Sequence, residues 1–482
     1  MAGVAQILHA AGGDGDMTSP TTHSAQAEKN LADYSRQIEA LALRLGLNFY
    51  PVDFELVPNN FMMEIAVYGL PVRMPHWSFG VRYIHQLIRQ NMGHSHIFEV
   101  MFPGDPCHAY LVDSNSLPEN TLVTAHVLGH ADFARNNHLF ARFMEMAGGH
   151  ILEQAAERAH RIESAAAEFG AQRVEAVLDA ALALEPHIDV NAELHRSAYP
   201  EVTLKPGPEP ESRPFDKRYR KLPGEKTGAA PPPAVSRTIP PQPEYDLLWF
   251  IAHYAPDMEG WERDIFLAVR EESFYFYPVF ACQIMNEGWA SYWHARLLRE
   301  ADFLPDELYL SAIKSHSDVV RPYAAESQLA LAINPYHLGF SMWEQIIEDK
   351  GIEAARQICR EEDDFGFIRN YLTPALAERL GLFTYETEKD GDITIGGRDI
   401  HALHEAILAP KFNYGAPRIA VTRLQQDGGL ELTHDYQSDG RGLDIGRAER
   451  VLEYIGRVWR RPVSLHTVSE SGAARELTTR KF

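Results

Sequence analysis

The chain has 482 residues, enough for about three domains at roughly 150 residues each and for at least one large buried core. It is 45% hydrophobic and 23% charged, and no uncharged apolar run approaches the roughly 18 residues that a membrane span needs. With 45 basic against 67 acidic residues the formal charge is -22, which repels phosphate backbones and anionic lipid surfaces and argues against nucleic acid as a main partner.

The first 24 residues carry no basic start and no unbroken apolar stretch, so they read as a disordered arm and not as a secretory signal. From Ala25 to Leu47, apolar residues at intervals of three and four predict an amphipathic helix that stops at Gly46. Residues 48 to 113 mix short β-rich runs (FYPVDFELV, GLPVRMPHWSFG, IFEVMFPGDPCHAYLVD) with a helical YIHQLIRQN. TLVTAHVLGHADFARNNHLFARF then reads as a buried helix, followed by a longer helical stretch from about 151 to 185. Residues 25–199 thus form an α+β part.

Between Pro200 and Pro243 lie 12 of the 30 prolines, a composition that disfavours helix and central strand and marks 200–243 as a linker or surface belt. Residues 244–390 are read as helical: YDLLWFIAHY, GWERDIFLAVREESFYFY and, after Pro278, VFACQIMNEGWASYWHARLLRE. Residues 391–482 return to alternation in RIAVTRL, LELTHDY and PVSLHTV with one helix near 443–457, a small C-terminal α+β domain. The fold class is therefore α+β and mainly helical. The cysteines Cys107, Cys282 and Cys359 are odd in number and far apart, as expected of a reducing, cytoplasmic setting.

Two segments carry candidate chemistry. His126 and His130 are the one pair four apart among 22 histidines; on a helix they share a face and both reach one metal ion, although a pair of satisfied buried histidines has the same spacing. Glu287 stands in the aromatic window MNEGWASYWH, where a carboxylate needs a cation, a metal or strong donors, Arg296 being the plain structural partner. His94 and His96, the acidic run Glu361–Asp364 and the turn Asn413–Pro417 are read as an exposed strand start, a solvated turn or helix start, and a turn into a strand.

Taken together, the Asn-Glu-Gly-aromatic-Ala-Ser-Tyr segment and the histidine pair resemble the ligand helices of gluzincin metallopeptidases. That resemblance implies a zincin-like core in which His126, His130 and Glu287 hold Zn2+. Two departures stand out: Val127 occupies the place of the family's catalytic glutamate, and 157 positions separate His130 from Glu287. Trp77-Ser78-Phe79-Gly80, HVLGHADFARNN, YDLLWF, REESFYFYP and MNEGWASYWHARLL, in this order, are similar to the SpoVR family (stage V sporulation protein R) from about residue 30 to the C-terminus. The resemblance implies a cytoplasmic bacterial protein linked to the spore cortex in sporulating bacteria, and elsewhere to a serine protein kinase and a von Willebrand-type partner.

A three-ligand zinc site leaves a position for water, so an acid/base group must come from elsewhere. Glu272 and Glu271 are the candidates, if Pro278 marks a tight connection that turns their helix towards the metal; a solvated acidic pair is the alternative. His294, seven residues beyond Glu287, is either a proton donor or a core histidine bonded to a backbone carbonyl, and Tyr292 is an oxyanion candidate. The expected activity is zinc-dependent attack on a peptide or protein amide bond, by hydrolysis or acyl transfer. The rival is a degenerate zincin that serves as a binding partner in a kinase-associated complex.

Overall fold

The computed structural model describes residues 22–91, 99–147, 150–199, 239–319, 334–382, 384–387, 393–397 and 399–479. His94, His96, nearly all of the N-terminal arm and most of the proline-rich segment lie outside the described residues. The fold is α+β, dominated by helices, with three small sheets among the described residues. Two compact units interleave along the chain: Met1–Glu163 with Tyr275–Phe412, and Ser164–Phe274 with Asn413–Phe482.

In the first unit, β1 (Val52–Val57), β2 (Glu99–Phe102) and β3 (Cys107–Val112) form a sheet in the order β1-β3-β2. β3 is the central strand, parallel to β1 and antiparallel to β2, with Met101 opposite Ala109 and Glu99 opposite Leu111. Directly after β3 the chain enters the histidine helix, Leu117–Asn136, through a capping box in which Ser116 and Glu119 satisfy each other's backbone N–H groups. Every residue from Asn120 to Ala134 of this helix is buried, because it is packed on several sides instead of along one stripe. Its neighbours are the N-terminal helix Thr22–Arg44, the helix Asp306–Val319 and the glutamate helix Gln283–Arg299.

Glycine sets how closely these helices approach. A Cβ at Gly129 would lie 2.7 Å from the Cα of Ala290 on the glutamate helix, and one at Gly288 would lie 2.2 Å from the backbone carbon of Gly339 on the helix Pro335–Lys350. Backbones this near leave no room for a methyl group. Around the contact, Trp289, Trp293 and Trp343 are fully buried; the Trp289 indole donates to Asp132 at 2.8 Å and that of Trp343 to the Met285 carbonyl at 2.9 Å.

The glutamate helix begins on a buried anion. Asp364 accepts from the backbone N–H groups of Ile284 and Met285, each at 2.9 Å, and pairs with Lys411 at 2.9 Å. Asp364 is fully buried, which corrects the reading of the acidic run as solvated; Asp363 does start the helix Asp364–Tyr371. An anion at a helix N-terminus satisfies orphan donors and complements the macrodipole. The expected connection at Pro278 is also corrected: the helix Gly260–Ala281 runs through that proline and breaks at Cys282, where the Cys282 N–H still reaches the Pro278 carbonyl at 3.0 Å.

The second unit holds a four-stranded sheet of β6 (Ile419–Leu424), β7 (Leu430–His434), β8 (Val463–Val468) and β9 (Ala474–Thr478), following a hairpin of β4 (Thr384–Thr387) and β5 (Ile393–Gly397) in the first unit. β7 and β8 are parallel and are joined by the helix Ile445–Trp459, as a parallel pair requires a crossover. An ion network in which half-buried Arg196 and Arg270 meet the buried carboxylates Glu244 and Asp246 braces the same unit. The long helical stretch from 151 to 185 is two helices, split at Gly170, whose φ of 95° ends the first.

Candidate metal centre

One helical turn separates His126 from His130, so both rings leave the same face, with centroids 4.5 Å apart. Each ring is oriented through Nδ1. His130 Nδ1 is 2.8 Å from the side-chain oxygen of Asn286, and His126 Nδ1 is 2.8 Å from Nδ1 of His294. An amide oxygen only accepts, so His130 carries its proton on Nδ1 and presents the Nε2 lone pair to the cluster. Outward support of this kind is what holds ligating imidazoles in place in metal sites.

Glu287 Oε2 lies 3.5 Å from Nε2 of His126 and 3.5 Å from Nε2 of His130. These separations are too long for hydrogen bonds of about 2.7–3.2 Å. They approach the edge, roughly 3.4 Å, of a tetrahedron whose metal–ligand bonds are about 2.1 Å. His126 Nε2 and Glu287 Oε2 are both buried and without a hydrogen-bond partner, a costly state for polar atoms that face each other. Two imidazoles and a carboxylate around such a point are a donor set that suits Zn2+.

The electrostatics are those of opposite charges gathered out of water. Burial alone would raise the Glu287 pKa, but the charge of His130 and the contacts of both imidazoles hold this carboxyl well below its usual range. Burial works to lower His130, yet Glu287, Asn286 and a second carboxylate, Glu99, bring its pKa up. Glu99 itself is raised by burial against the pull of His126 and His130. Tyr336 stands beside Glu287, and its phenol is raised well above the usual value, first by the charge of Glu287 and then by burial.

The structure thus brings His126, His130, Glu287 and His294 together. His294 is fully buried, and its partners are the rings of His126 and, through Nε2, of His316 on the helix Asp306–Val319, in place of the expected backbone carbonyl. Burial first, and then the neighbouring imidazoles, push its pKa well below the usual value. Tyr292 is half-buried and packs beside Trp289 and Trp293. Glu271 is exposed and Glu272 fully buried; both belong to the second unit, the histidine and glutamate helices to the first. Val127 is fully buried in the apolar core.

Sequence reasoning missed Glu99, Tyr336 and His316. Glu99 had a signal, a lone acid in the apolar strand IFEVMF. Tyr336 had only its position after Asn334-Pro335, the cap and first residue of a helix.

Fold and site define a helical α+β protein with a two-histidine, one-carboxylate cluster at its core, and comparison places it in a family. The family model described as SpoVR like protein matches residues 25–405, and the chain belongs to the SpoVR family. It is 29% identical over 481 residues to "Uncharacterized protein YcgB" of Escherichia coli (strain K12), covering 91% of this chain and 92% of that protein. No solved structure matches. Among the described residues, no helix is long and apolar enough to cross a membrane.

Proposed function

We propose that this protein is a zincin-type metalloenzyme acting on an amide bond of a peptide or protein, by hydrolysis or acyl transfer. The observation that carries the reading is the pair of 3.5 Å separations between Glu287 Oε2 and the two imidazole Nε2 atoms, with His126 Nε2 and Glu287 Oε2 otherwise unpartnered. His126, His130 and Glu287 would hold the ion. Held there, Zn2+ would supply Lewis acidity towards a carbonyl and would lower the pKa of water to roughly 7. Asn286 sets the tautomer of His130, His294 holds the ring of His126, and Tyr336 stands beside Glu287. An acid/base group is needed for the role lost at Val127, and Tyr292 is proposed as an oxyanion donor. A link to spore-cortex or envelope physiology and a complex with a serine protein kinase and a von Willebrand-type protein belong to the same proposal.

The test is chelator-sensitive turnover on a library of internally quenched peptides and amide acceptors. Glu287→Gln is expected to abolish turnover together with metal binding; wild-type turnover in that folded variant would contradict the reading. The burial of Val127 where a gluzincin has its base favours a second reading, a catalytically silent zincin that acts as a binding partner. That reading predicts that well-folded His126→Ala and Glu287→Ala variants still complement a deletion strain, whereas failure to complement supports an active site.

A further inference from the structure

The neighbourhood of the histidine pair contains a second carboxylate that the gluzincin pattern does not account for. Glu99 opens β2, and alternation along a strand puts it on the same face as Met101. That face is the inner one: Met101 packs against the core cluster containing Val127 and Leu128, and the strand partners Leu111 and Ala109 belong to that cluster too. Val100 and Phe102 turn the other way, into a separate apolar cluster. Strand geometry therefore aims an acid at the histidine helix, where a solvent-facing role would have needed the opposite parity.

The distances agree. Glu99 Oε1 lies 3.8 Å from His126 Nε2, and Glu99, His126 and His130 each offer a ligand atom within 4.8 Å of the others. The side chain of Glu99 is only 17% exposed, and that of Glu287 21%, so neither carboxylate is a surface group that strayed towards the site. Resting on the metal reading above, we propose that Glu99 is a further protein ligand, so that the centre is a two-imidazole, two-carboxylate site fed by β2, the histidine helix and the glutamate helix.

Two consequences follow chemically. Two carboxylates and two neutral imidazoles balance the charge of a divalent cation, and the added hard oxygen donor widens the range of metals from Zn2+ towards Mn2+ and Fe2+. With four protein ligands, room for water or substrate requires five-coordination, which zinc adopts in some transition states.

Co2+ is the probe. Metal-free full-length protein, wild type and the variants Glu99→Gln, Glu99→Asp and Glu287→Gln, is titrated with Co2+ against a chromophoric chelator, and the visible absorption of the loaded forms is recorded; circular dichroism and Tm of the metal-free forms check folding. Glu99→Gln is expected to weaken Co2+ binding by at least about 10- to 100-fold, the loss typical of disturbing a metal site. Its absorption bands should also intensify as coordination number falls, and Glu99→Asp should recover part of the affinity. Wild-type affinity and an unchanged spectrum in folded Glu99→Gln would overturn the assignment of Glu99 while leaving the three-ligand site standing. Absence of Co2+ binding by wild type would overturn both readings.

Discussion

Tyr336 and Glu287 show how much of this centre depends on single contacts. Tyr336 stands beside the carboxylate that faces both imidazoles, so loss of its hydroxyl frees Glu287 to swing without creating a large cavity. Tyr336→Phe is expected to lower metal affinity about 10-fold with Tm nearly unchanged, a supporting-shell effect that chelator competition measures. An affinity equal to wild type would mean that Tyr336 does not position Glu287. The histidine pair and Glu287 were legible in the sequence because helical spacing fixes His126 and His130 on one face, and because a carboxylate among tryptophans demands a partner. Tyr336 was not, since it reaches the site through a tertiary approach that no local periodicity encodes, and Glu99 left only the signal of a lone acid in an apolar run. His294 was legible as a site residue but not in its role: one histidine bonded to another leaves no sequence signature distinct from a core imidazole.

At the level of elements, the position of Glu287 is set by two devices on the glutamate helix, close glycine contacts and an anion at its start. Gly288→Ala drives a methyl group to within 2.2 Å of the Gly339 backbone, and Gly129→Ala to within 2.7 Å of Ala290. Overpacking of this kind costs about 1–3 kcal/mol, against a gain of about 1 kcal/mol for replacing a helical glycine. Both variants are expected to lose stability in urea titrations, Gly288→Ala the more, and to lose metal affinity because the helices are forced apart. Asp364→Ala removes the anion at the start of the helix and strands buried Lys411, for which about 3–5 kcal/mol is expected. A loss below 1 kcal/mol would show that Lys411 escapes to water. The sequence carried the helices themselves, Leu117–Asn136 and Gln283–Arg299, through their apolar content, and the strands β6, β7 and β8 through alternation. It did not carry the capping role of Asp364, because an acidic run looks the same whether its members face water or a distant helix end.

For the whole molecule, two interleaved units mean that the contiguous segments 25–199 and 244–390 each contribute to both, an arrangement linear composition shifts cannot reveal. The second unit carries its own pH signature. His187 is buried, and burial pushes its pKa down to about 4. Above pH 6.5 the group is neutral folded or unfolded and contributes nothing to the pH dependence. As pH falls from about 6.5 towards 4 the unfolded chain takes up a proton that the folded chain refuses, so stability falls with acidification by up to roughly 3 kcal/mol. Replacing it by a group that does not titrate, His187→Leu, is expected to flatten that limb of the stability profile measured by urea titration at successive pH values. An unchanged slope would place the acid sensitivity elsewhere.

The central claim is that His126, His130 and Glu287 form a metal site, and the most direct test is metal content by plasma mass spectrometry. The protein is purified without an immobilised-metal column, beside a folded Glu287→Ala variant. The account predicts a near-stoichiometric divalent cation in wild type and its loss in the variant. Folded wild-type protein free of metal that takes up none on addition, or equal metal in Glu287→Ala, would contradict it.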